Sequence, residues 1–83
     1  SKFRPLFSEN DVSKLPMAKN FMSNTLRHFV GAFAVSGFTD RIQQANNHGE
    51  LRLLFDEWSE TISSTRQGRA ESEKLRKQLL EII

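Results

Sequence analysis

The residues able to do acid–base or metal chemistry are few and widely spaced. The chain has two histidines, His28 and His48, and no cysteine or tyrosine. Asp56, Glu57 and Glu60 are close on one predicted helix face, as in a cation site, but solvated surface carboxylates explain them better. No phosphate-binding loop or zinc signature is present in the sequence. We therefore expect no enzymatic activity, no cofactor, no metal and no small-molecule substrate.

A cluster of basic residues offers a different chemistry, which is contact with phosphates. Between residues 61 and 77, five basic residues stand against two acidic ones, whereas residues 50–60 hold four acidic residues and one basic residue. Arginine and lysine clusters of this kind bind nucleic-acid backbones. A small nucleic-acid-binding regulator is therefore the alternative function that the sequence predicts. Its binding residues are Arg66, Arg69, Lys74, Arg76 and Lys77.

Composition indicates one globular domain spanning residues 1–83. With 27% charged and 37% hydrophobic residues, the chain resembles folded proteins rather than disordered ones. No stretch approaches the roughly 18 apolar residues that a membrane-spanning helix requires, so no membrane partner is expected. The lack of cysteine excludes disulfides and is compatible with a reducing compartment. We expect a cytoplasmic location.

The elements that position these residues are predicted to be helices. Apolar side chains recur at steps of three and four residues, and no segment alternates as a half-buried strand does. Pro16 suits the first turn of a helix, and Gly37 suits a helix end. The predicted fold is all-α, a small bundle of three to four helices with a short N-terminal arm. The arm and a short helix occupy residues 1–15, and helices follow at about 17–35, 40–46, 48–62 and 70–83.

The clearest predicted helix is the one at residues 48–62. Asn47 and Glu50 have the spacing of a capping box at its start. Leu53 departs from its pattern, because it is an aliphatic residue on the flank of the polar face. Residues 63–69 read as a loop or as a weak stretch within one long helix. Six aromatic residues at core spacing are expected mainly in the interior: Phe21, Phe29, Phe33, Phe38, Phe55 and Trp58.

The predicted C-terminal helix carries a stripe of aliphatic side chains, and the main prediction of function depends on this stripe. Leu75, Leu79 and Ile82 fall on one helix face, and Leu80 and Ile83 widen it. A domain of this size has little core in which to shelter five such side chains. The stripe either packs back on the domain or is offered to a second chain, and we favour the second.

These features together predict a non-enzymatic protein–protein interaction or oligomerisation module, such as a helical adaptor or regulatory domain. The expected partner is a protein, foremost a second copy in a homodimer. In such a dimer the acidic residues 50–60 of one copy would face the basic residues 66–77 of the other. The predicted partner-binding residues are Leu53, Leu75, Leu79, Leu80, Ile82 and Ile83.

Overall fold

The computed structural model describes residues 1–6 and 13–83. Within these ranges the chain is helical and contains no strand, which confirms the predicted all-α class. The helix count in this part of the chain is five, one or two more than predicted. The helices are α1 (Lys14–Phe29), α2 (Ser36–Gln44), α3 (His48–Arg52), α4 (Phe55–Ile62) and α5 (Arg66–Leu80).

Helix α1 begins slightly earlier and ends much earlier than the sequence predicted. Pro16 is its third residue, where the missing backbone N–H of proline does no harm. The helix ends at Phe29 instead of residue 35 because Gly31 adopts a φ of 116°, a conformation open mainly to glycine. The short helix predicted before Pro16 falls largely on residues 7–12, which lie outside the described residues.

The predicted helix at 48–62 is divided into α3 and α4 by a turn at Leu53 and Leu54. The cap is as expected at its start, since Asn47 Oδ1 accepts a hydrogen bond from the Glu50 backbone N–H at 2.8 Å. The amides of Leu53 and Leu54 then donate to carbonyls only three residues back. This tighter 3₁₀ pattern changes the direction of the chain between α3 and α4. It also leaves the Leu53 side chain at the surface.

The predicted loop at 63–69 is shorter than expected, because α5 already begins at Arg66. Thr65 caps this helix by accepting from the Gly68 N–H at 3.1 Å. Gly68 is buried against the end of α4, and a Cβ atom added there would lie 1.9 Å from the carbonyl oxygen of Ile62. The glycine is therefore required for close packing of α5 on α4.

The core lies where α1 meets α2, α4 and α5. Trp58 is fully buried there, and its Nε1 donates to Thr25 Oγ1 at 3.0 Å. The N-terminal residues cover one end of this core, where Phe3 meets the Phe55 ring edge to face with centroids 5.6 Å apart. The other hydrophobic side chains buried in the core are Ala18, Met22, Leu26, Val35, Phe38, Ile42, Ala45, Leu51, Ile62, Leu75, Leu79 and Ile83.

Candidate interaction surface

The C-terminal aliphatic stripe is part of the core of its own chain. Leu75, Leu79 and Ile83 are buried, while Leu80 and Ile82 are partly buried and pack against the same cluster. The first three are therefore unavailable to a partner in the folded chain, which corrects their prediction as contact residues. The physical reason is that α5 packs against both α1 and α4, so its apolar face is covered within the chain.

Hydrogen bonds tie the end of the stripe to the rest of the domain. The carbonyl oxygen of Ile83 accepts from Arg52 Nε at 3.1 Å and lies 2.8 Å from His48 Nδ1. Arg4 Nη2 donates to the Ile82 carbonyl at 3.0 Å, and Arg52 Nη2 donates to the Arg4 carbonyl at 2.7 Å. His48 is thus a buried structural residue. These contacts hold residues 82 and 83 against α3.

Leu53 is the predicted contact residue whose side chain is exposed to solvent. Its side chain is 83% exposed at the turn between α3 and α4. It borders an open groove of about 370 Å³ between this turn and the C-terminal half of α2. Ala45 and Leu54 contribute apolar surface to the groove. Its remaining lining residues are polar: Arg41, Gln44 and Glu50.

Phe33 is a second exposed apolar side chain, and the sequence pattern misplaced it. Its spacing predicted a core position on a continuous first helix, but its side chain is 96% exposed in the turn between α1 and α2. The early end of α1 at Gly31 removes Phe33 from the helical register on which that prediction relied. The available signal was Gly31 itself, because glycine inside a helix is unfavourable.

Two of the three acidic residues of α4 pair with residues outside the basic segment of α5. Asp56 pairs with Lys2 Nζ at 3.1 Å, and Glu57 accepts two hydrogen bonds from the Arg41 guanidinium. The hydrogen bonding from Arg41 lowers the pKa of Glu57, and the same contact raises the pKa of Arg41. These two ion pairs tie α4 to the N-terminal arm and to α2. Asp56 and Glu57 belong to the predicted contact between residues 50–60 and 66–77, but both are already paired within their own chain.

The basic residues of α5 do not form a uniform positive surface. Arg66, Arg69, Lys74 and Lys77 are exposed, whereas Arg76 is partly buried with Nη1 3.4 Å from Ser59 Oγ. Lys77 pairs with Glu73 at 3.3 Å. Exposed carboxylates alternate with the cations along this helix, namely Glu71, Glu73 and Glu81 at its end.

Among the described residues, no three histidine or acidic side chains come together as metal ligands do. His28 is exposed and packs edge to face on Phe29, with the ring centroids 4.7 Å apart. None of the described helices combines the length and apolar character needed to cross a bilayer. Phe33 and Leu53 are the most exposed large hydrophobic side chains of the described residues, ahead of Met17 and Leu6.

Comparison with known proteins adds no assignment to this picture. The chain matches no protein-family model, no curated protein and no solved structure.

Proposed function

We propose that this chain is a non-enzymatic protein–protein interaction module, a helical adaptor or regulatory domain of the cytoplasm. The observation that carries the proposal is Leu53, whose side chain is 83% exposed beside a groove of about 370 Å³. Burying one leucine fully is worth about 1.5–3 kcal/mol. A partner that covers Leu53 and the neighbouring Leu54 gains this energy without any rearrangement of the core.

The groove lining defines the chemistry of the partner. Ala45, Leu53 and Leu54 provide apolar walls, while Arg41 and Glu50 contribute one guanidinium and one carboxylate. The matching ligand is a polypeptide that presents an aromatic or aliphatic side chain flanked by polar groups. Catalysis is not part of the proposal, since the groove contains no nucleophile beside a base.

A photo-crosslinking experiment tests this proposal. A benzophenone amino acid replaces Leu53 in the protein expressed in its native cells, and a matched protein carries it at Gln67, an exposed polar position on α5. After irradiation, we expect covalent protein adducts at position 53 and none in common with position 67. Mass spectrometry then identifies both the partner and the attached residue. Absence of specific adducts at position 53 would overturn the proposed function.

The second candidate is nucleic-acid binding, favoured by the exposure of Arg66, Arg69 and Lys74 on α5. The carboxylates interleaved with these cations weaken the local positive potential, so we rank it below protein binding. Fluorescence anisotropy with a labelled duplex and a labelled single strand distinguishes the two candidates. Phosphate contacts predict an affinity that falls steeply between 50 and 200 mM salt. Measurable binding of that kind, lost in an Arg66→Ser, Lys74→Ser double variant, would favour the nucleic-acid candidate.

A further inference from the structure

We infer that the surface beneath the N-terminal arm is a peptide-binding site, which residues 2–4 of the chain occupy as an internal ligand. This arm site consists of Arg52 at the end of α3, Phe55 and Asp56 at the start of α4, and the backbone carbonyl of Ile82. The partner that it fits is a segment with a basic, an aromatic and a basic residue in succession. None of its residues lines the groove of the proposed function, so the arm site is a second surface.

The first two positions of the bound segment contact a carboxylate and an aromatic ring. Lys2 Nζ lies 3.1 Å from Asp56 Oδ1 and 4.9 Å from the centre of the Phe55 ring. The Phe3 ring meets the Phe55 ring edge to face, and the Arg52 guanidinium lies 4.7 Å from the centre of the Phe3 ring. Cations and aromatic rings attract each other at these distances. The site therefore favours a cation at the first position and an aromatic ring at the second.

The third position adds a side-chain contact and a backbone contact. Arg4 Nη2 donates to the Ile82 carbonyl at 3.0 Å, and Arg52 Nη2 donates to the Arg4 carbonyl at 2.7 Å. Hydrogen bonds from charged donors are roughly twice as strong as those between neutral groups. Because every peptide has backbone carbonyls, Arg52 fixes the position of the segment, while the side-chain contacts select its sequence.

The arm, residues 1–6, is attached to the helices as a bound peptide is. In the described part of the chain, no backbone–backbone hydrogen bond joins the arm to a helix. The side chains of Lys2 and Asp56 are 48% and 81% exposed, and such an ion pair contributes at most about fivefold to an equilibrium constant. The partly buried Phe3 ring therefore supplies much of the attachment. Contacts of this kind open and close while the helices stay folded.

A surface that holds a segment of its own chain also binds the same segment when it is supplied separately. Attachment through the chain provides an effective concentration of about 1 mM. With the arm in place in about nine molecules of ten, the separate peptide has a Kd of about 0.1 mM at that effective concentration. The bound arm weakens the binding of an outside peptide about tenfold, so it regulates access to the site.

Titration of a fluorescent peptide with the sequence of residues 1–6, followed by anisotropy, tests the inference on the full 83-residue chain. Phe3→Ser removes the ring that anchors the arm but leaves the arm site intact. We expect the Phe3→Ser chain to bind the peptide with a Kd of about 0.1 mM, about tenfold more tightly than the intact chain does. A peptide in which Lys and Phe exchange places should bind more weakly, because it puts a cation against Arg52.

Two double variants show where the peptide binds. Asp56→Lys, added to Phe3→Ser, places a cation against the lysine of the peptide and should weaken binding at least about fivefold. Asp40→Lys, added to Phe3→Ser, makes the same charge change at an exposed position on α2 and should leave binding unchanged. Circular dichroism melts check that each variant is folded. If Phe3→Ser does not fold, Lys2→Glu takes its place, because it breaks only an exposed ion pair.

Two outcomes would overturn the inference. One is a folded variant with a loosened arm that binds the peptide no better than the intact chain does. The other is peptide binding that Asp56→Lys and Asp40→Lys affect equally. Neither outcome bears on crosslinking at position 53, so the arm site and the proposed function can fail separately.

Discussion

Replacing Gly68 with alanine should destabilise this chain, although the same change stabilises most helices. Inside an ordinary helix, alanine is favoured over glycine by about 1 kcal/mol. At Gly68 the added Cβ would lie 1.9 Å from the Ile62 carbonyl oxygen and 2.9 Å from Thr65 Oγ1. Non-bonded heavy atoms prefer separations of about 3.5–4.0 Å. The N-terminus of α5 must therefore move away from α4 by more than 1 Å.

The magnitude follows from three contributions. Overpacking a close contact costs about 1–3 kcal/mol, and weakening the Thr65 cap costs about 1 kcal/mol more. The helix preference of alanine offsets about 1 kcal/mol of this loss. A net loss of about 2–3 kcal/mol results, taking the upper end of the overpacking range because the clash is with backbone. In a domain of this size that corresponds to a fall in Tm of roughly 8–24 °C.

Urea unfolding followed by circular dichroism measures this loss, and the chain supplies its own control. Gly37 lies inside α2, where an added Cβ meets nothing within 4 Å and no positive φ is needed. Gly37→Ala should therefore raise the free energy of unfolding by up to about 1 kcal/mol. Both variants are compared at low micromolar concentration. Equal stabilisation by the two substitutions would refute the close packing of α5 on α4.

Three further changes test other parts of the structure. Leu79→Ala should cost about 2–5 kcal/mol, independently of protein concentration, because Leu79 is buried within one chain; a loss that shrinks on dilution would place it at an interface instead. Ser23→Ala should raise stability by about 1 kcal/mol, since the buried Ser23 hydroxyl has no hydrogen-bond partner in the described residues, and a clear loss in thermal melts would contradict this. The lowered pKa of Glu57 means that its pair with Arg41 stabilises the fold above the ordinary glutamate pKa, and that this stabilisation is lost as pH falls through the lowered pKa. Glu57→Gln should remove this part of the stability difference between pH 7 and pH 3, and an unchanged difference in urea titrations would argue against the pair.

The sequence predicted the helical class because periodicity is a local property. Apolar steps of three and four residues identified α4 and α5, and the spacing of Asn47 and Glu50 identified the start of α3. The cap forms as predicted, with Asn47 accepting from the Glu50 amide. Helix ends were predicted less well. Gly31 ends α1 through a positive φ, whereas Gly37 and Gly68 lie inside helices.

Tertiary structure determined which apolar side chains are buried and which are exposed. Leu79 and Leu53 have equal hydrophobicity, yet the first is fully buried and the second is 83% exposed. The turn at Leu53 and Leu54 and the close approach at Gly68 determine which faces meet. Both depend on contacts between residues distant along the chain.

By itself, the sequence determined that this chain forms helices with enough apolar surface to need a core. Only the tertiary structure decided that the C-terminal stripe lies in that core, while Phe33 and Leu53 remain outside. The physical reason is that local spacing dictates which side chains share a helix face, but the turns between helices dictate what each face packs against.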